Sequence, residues 1–116
     1  MASEPDAMDT WIRSAREDDQ AGVLHCLAAA FEPYRGEYTA QAFANTVIDA
    51  NGYLERLRGM HVLVADSGFE IAGTVAGEQK GQEGHLRGMA VLPEFRGAGL
   101  AARLLGAIED WLQIQG

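Results

Sequence analysis

The stretch that decides the fold is His85-Leu-Arg-Gly-Met-Ala-Val-Leu-Pro-Glu-Phe-Arg-Gly-Ala-Gly-Leu-Ala101, which runs on into a helical pattern reaching Trp111. It reads as a strand, a tight turn and a helix start. Gly97 and Gly99, with small Ala98 and Ala101, let such a turn aim several unpaired backbone N–H groups at one point. The positive end of the helix dipole adds to them, so the turn is a site for a phosphate or pyrophosphate.

Working outward, the helix after the turn places Leu100, Leu104, Ile108 and Trp111 or Leu112 on one side. Before the turn, residues 86–92 form the third of three strand-like runs. Residues 60–65 and 71–76 are the other two, joined by Ser67-Gly68 as an antiparallel hairpin, and residues 77–84 read as a polar turn region. Residues 10–15 suit a short first strand. A helix capped by Asp18 or Asp19 follows, with Gln20, Leu24, Leu27 and Phe31 on one face and Val23 and Ala30 widening it. Pro33 ends that helix. A second helix is expected from Thr39 to about Ala50, with Phe43 and Val47 inward, interrupted at Asn51-Gly52. The order is β-α-α-β-β-β-α, an α/β (α+β) domain over residues 10–116 with a loose tail over residues 1–9.

A chain of 116 residues suits one core. Its formal net charge is −8 and Lys80 is its only lysine, so no basic patch for nucleic acid is visible. The acidic balance suits solubility first and cationic ligands such as amines second. Cys26, the only cysteine, lies in an apolar helical stretch and reads as a buried, inert thiol. No apolar run approaches the ~20 residues of a membrane span, and residues 1–10 lack a signal-peptide core. A cytoplasmic protein without membrane contact is the expectation.

Three phosphate-binding patterns compete for the turn. The P-loop requires a Gly-Lys pair, and none occurs. The dinucleotide fingerprint is matched by Gly97, Gly99 and Ala102, but it needs a following strand that ends in an acidic residue about 20 positions on. The third pattern, R/Q-x-x-G-x-G/A, is met by Arg96, Gly99 and Ala101. In that motif, in the strand over residues 86–93 and in the element order, the chain resembles the GCN5-related N-acetyltransferase superfamily. These are acetyl-CoA-dependent acyltransferases with a mixed, mainly antiparallel sheet. The resemblance runs from about residue 10 to 114.

The resemblance implies that the backbone of Gly97, Ala98, Gly99, Leu100 and Ala101 holds the CoA pyrophosphate, with Arg96 at the entrance. Met89, Ala90 and Val91 would pair through their backbone with the pantetheine arm. Transfer in such enzymes is direct: a base frees the amine, and backbone N–H groups polarise the thioester carbonyl. His85 stands eleven residues before Arg96, where a catalytic glutamate stands in the histone-acetyltransferase branch, and Glu83 is the second candidate base. A neutral imidazole has a suitable pKa. Glu32, Tyr34 and Tyr38, in the loop over residues 32–38, are candidates for the acceptor pocket, together with Arg35 and Glu37. His25 and His61 read as structural or exposed, and no metal site is expected.

Members of the superfamily continue past the glycine-turn helix with further strands and a helix whose tyrosine protonates the departing thiolate. No residue here matches that tyrosine. The chain therefore reads as a truncated form, or as one completed by association. The open edge of the strand over residues 86–92 points to a homodimer or higher association. Two classes of function stay open. One is an N-acetyltransferase acting on a small-molecule or peptide primary amine. The other is a non-catalytic CoA-binding or interaction module.

Overall fold

The computed structural model describes residues 10–97 and 99–115; the tail expected over residues 1–9, and Ala98, lie outside the described residues. Four strands form one sheet in sequential order: β1 (Trp11–Ser14), β2 (His61–Asp66), β3 (Ile71–Lys80) and β4 (Glu83–Val91). Every neighbouring pair is antiparallel, so the described sheet is wholly antiparallel where a mixed one was expected. Between β1 and β2 lie α1 (Gln20–Phe31), α2 (Ala40–Thr46) and α3 (Ala50–Gly59); α4 (Leu100–Gln115) follows β4. No helix among the described residues is long and apolar enough to cross a membrane.

The two faces of the sheet are covered differently. Leu100, Leu104 and Ile108 of α4 recur at every fourth position and are at most 1% exposed. They lie close over β3 because Gly73 and Gly77 have no side chain. A Cβ at Gly73 would sit 2.8 Å from Leu104, and one at Gly77 2.7 Å from Ile108. The opposite face carries α1, with α3 beside it. The buried stripe of α1 is Val23, Cys26, Leu27 and Ala30. It is rotated from the expected one, because Leu24 and Phe31 are only half-buried. Tyr53 of α3 is fully buried, and its hydroxyl donates to the Arg16 carbonyl at 2.7 Å, tying α3 to the end of β1.

Three expectations are corrected. The second helix is two: Val47 leaves helical geometry, and Asp49 restarts the chain by accepting from the Gly52 amide at 2.8 Å. Asn51-Gly52 is therefore in the first turn of α3, and the break comes earlier. Residues 77–80 and 83–85 are not turn but strand, paired Gly77↔Leu86 through Lys80↔Glu83. The glycines that suggested a turn serve packing instead: a Cβ at Gly84 would meet Leu112 of α4 at 3.0 Å. Asp19 is placed just before α1, but its side chain caps no helical amide of α1. Its carboxylate takes both ends of the Arg13 guanidinium at 2.8 Å and the Arg16 amide at 2.7 Å. That guanidinium holds the Asp19 carboxyl below the usual range.

Candidate functional site

The strand that leads to the glycine turn is irregular at Gly88 and Met89. Thr74 pairs with Ala90 and Ala76 with Arg87, so Gly88 and Met89 both stand opposite Val75. This β-bulge is possible because Gly88 has φ +61°, a backbone region costly for any residue with a Cβ. Beyond it, Met89, Ala90 and Val91 continue along the edge of the sheet, which among the described strands has no neighbour on its outer side. Ala90 and Val91 are nearly buried by side chain, while the strand edge leaves backbone groups open to a partner.

β4 ends with the Leu92 amide donating to Ala72 at 2.8 Å, and a short 3₁₀ turn over Pro93–Phe95 follows. Phe95, 4% exposed, pins that turn into the core. Arg96 is exposed and donates to the Ala30 carbonyl in the last turn of α1 at 3.2 Å, which fixes the entrance of the loop. Gly97 and Gly99 both have positive φ, +84° and +81°, and a Cβ at either would meet nothing within 4 Å. Their surroundings are therefore open. The Gly99 carbonyl accepts from Arg103 at 3.1 Å. The amides of Leu100, Ala101 and Ala102 stand at the helix start, where an α-helix has no intrahelical acceptor of its own to offer them. Leu100 is buried and anchors the helix; Ala101 is exposed beside the turn.

At the other end of β4, His85 and Glu83 come together: Nε2 lies 3.4 Å from the Glu83 carboxylate. Both side chains are well exposed. His85 pairs across the sheet with Glu78 of β3. It stands three residues before Gly88, a strand distance of ~10 Å from the bulge.

Glu78 belongs to the wall of a cavity of about 580 Å³ between α2–α3 and the outer ends of β3 and β4. Arg56, Lys80 and Arg87 also line it. These arginines were not singled out from the sequence. The one available signal was a charge next to a glycine inside an otherwise apolar strand.

The loop expected to hold the acceptor lies apart from this cavity. Residues Glu32–Glu37 form a 3₁₀ helix, and Glu32 is forked onto Arg35 by two hydrogen bonds of 2.9 Å. Tyr38 packs edge-on between Phe31 and Phe43, with ring centroids at 6.4 and 6.0 Å. Tyr34 is exposed. None of Glu32, Tyr34 or Tyr38 lines the cavity. Burial pushes the Cys26 thiol up to about 12, in keeping with an inert sulfur. His25 is exposed, and His61 stacks on Trp111 with centroids 4.3 Å apart. No cluster of metal-ligating side chains occurs among the described residues.

Residues 21–116 match the model of the acetyltransferase (GNAT) family. No curated protein is matched by the chain. Among solved structures, a GNAT family acetyltransferase from Brucella melitensis in complex with acetyl-CoA superposes with a TM-score of 0.74 at 24% identity. The match covers 92% of this chain and 70% of that one. The PaiA N-acetyltransferase from Thermoplasma acidophilum, in complex with coenzyme A, gives a TM-score of 0.80 at 14% identity over 92% of this chain and 74% of that one. The GNAT family N-acetyltransferase YhbS from Escherichia coli, in complex with CoA, gives 0.68 at 24% identity over 100% of this chain and 62% of that one.

Proposed function

The chain belongs to the acetyltransferase (GNAT) family, and on that premise we propose that it moves an acetyl group from acetyl-CoA to a primary amine by direct transfer. The observation that carries this reading is the bulged edge strand β4 running into an open glycine turn at the start of α4. The complexes of the Brucella, Thermoplasma and Escherichia proteins with acetyl-CoA or CoA support the choice of cofactor. Acetyl-CoA would supply the acetyl group as an activated thioester.

The residues divide the work by position along β4. The amides of Leu100–Ala102 and the turn at Gly97 and Gly99 hold the pyrophosphate, favoured by the helix dipole. Arg96 keeps the turn tied to α1. The backbone of Met89, Ala90 and Val91 aligns the pantetheine arm as an added strand. The bulge at Gly88 and Met89 turns an amide out of the ladder, where it can polarise a carbonyl. His85 accepts the ammonium proton, with Glu83 oriented to stabilise the imidazolium that forms. The open edge of β4 supports self-association of the chain, which light scattering at micromolar concentration reads.

Turnover tests this. Acetyl-CoA and a panel of primary amines should release CoA thiol, and His85→Ala should lower kcat by ~10²–10⁴ with little change in acetyl-CoA affinity. Near-normal turnover of that variant between about pH 6 and 9, across the imidazole range, would move the role to Glu83 or to water. Cofactor binding without turnover of any amine would make the chain a CoA-binding module instead.

A further inference from the structure

The protein is acidic overall, with a formal net charge of −8. The cavity beside β4 is less so: its wall carries three carboxylates and three cations, and only one of those cations is in contact with a carboxylate. Lys80 is paired with Glu78 at 3.1 Å. Asp49 keeps its charge but is turned to the start of α3, where it accepts from the Gly52 amide, and it touches neither arginine. Glu55, the remaining carboxylate of the wall, pairs with neither arginine. Arg56 and Arg87 thus have no carboxylate partner among the described residues.

Arg56 is half-buried, and the one hydrogen bond of its guanidinium is a long one to the Asn45 carbonyl, 3.3 Å. Its guanidinium lies directly against Gly88, so that a Cβ at Gly88 would collide with it. Burial, and then the nearby charge of Arg87, both act to lower its pKa. Two cations held together in a partly desolvated cleft, neither in contact with a carboxylate, are costly. An entering anion removes that cost. Planar guanidinium groups recognise carboxylate or phosphate through paired hydrogen bonds. The cavity of about 580 Å³ suits a small molecule.

We infer that Arg56 and Arg87 form a subsite for an anionic group of the acceptor, so that the acceptor is a small amine bearing a carboxylate or phosphate. The amine half rests on the acetyl-transfer reading; the anion subsite stands on the cavity alone. Gly88 links the two. The guanidinium of Arg56 sits at the bulge, and His85 is three residues away on the same strand. An anion gripped at the arginines would keep its amine on the β4 side of the cavity.

Two matched pairs of probes test the inference: O-phosphoethanolamine against ethanolamine, and β-alanine against β-alaninamide. The first readout is the Nε–Hε signals of ¹⁵N-labelled protein, assigned with Arg56→Gln and Arg87→Gln. Both signals should shift saturably with the anionic member of at least one pair and not with the neutral members. Whichever anionic probe acts separates phosphate from carboxylate. Arg87→Gln, at an exposed position, should weaken that binding ~10-fold, and Arg56→Lys, which keeps charge but loses the fork, should weaken it too. The second readout is kcat/KM with acetyl-CoA. The anionic probe should exceed its neutral partner by ~10-fold or more, and Arg87→Gln should erase the difference mainly through KM. Arginine signals unmoved by every probe, or a preference for neutral amines, overturn the inference. Saturable shifts without turnover of these probes or of any amine in the panel uphold the subsite and sink acetyl transfer.

Discussion

The two faces of β3 and β4 use the same alternation to opposite ends. Toward α4 the strands offer glycines, and the helix leucine and isoleucine side chains fill the space against Gly73 and Gly77. Toward α2–α3 the next residues along are Glu78, Lys80 and Arg87, and there a cavity stands open. One face is a dry, close contact whose value is area removed from water. The other leaves charge and space available to a ligand. A single bulge at Gly88 re-aims the strand between the two tasks. Close packing and open, charged space are therefore separable in this molecule, residue by residue.

The comparison breaks most visibly at Leu104. Leu104→Ala removes a fully buried side chain from the glycine stripe and should cost about 2–5 kcal/mol. Glu55→Gln, on the cavity face, should stay within about 0.5 kcal/mol. Urea unfolding of the two variants reads both. Equal losses would mean that the cavity face carries as much of the fold as the α4 face.

A smaller effect sharpens the boundary. His61 opens β2 and stacks on Trp111 of α4. Burial lowers its pKa below the ordinary 6.5. A depressed base favours folding while it is neutral, so its contribution is full above about pH 6.5 and is lost as pH falls through the folded-state value. Stability of the wild type should decline in that window by more than that of His61→Gln. Parallel pH profiles for the two would show that the stack does not bury the ring.

Much of this was legible in the sequence because local rules agreed. The i, i+4 spacing of Leu100, Leu104 and Ile108, the β-branched runs, and Thr39 before α2 each point one way, and Thr39 does cap its helix, accepting from the Ala42 amide at 3.0 Å. The glycine turn was legible for the same reason, since positive φ at Gly97 and Gly99 is what glycine supplies. What failed depended on contacts distant in sequence. Gly77 and Gly84 resemble turn residues until Ile108 and Leu112 are placed over them. The packing of Tyr38 between Phe31 and Phe43 joins positions that no short motif connects. The meeting of Arg56 with Gly88 joins a helix and a strand that no periodicity connects.

The central claim is that acetyl-CoA is held where β4 turns into α4. Calorimetric titration of acetyl-CoA into the wild type, Gly99→Asp and Ala101→Glu tests it most directly. Gly99→Asp adds backbone strain as well as charge, whereas a glutamate at exposed position 101 suits the first turn of a helix and should leave the fold intact. The wild type should bind one equivalent saturably, and both variants should bind at least ~10-fold more weakly, because each sets a negative charge against the pyrophosphate. Unchanged affinity in a folded Ala101→Glu protein, or tighter binding of NAD than of CoA to the wild type, would contradict the account.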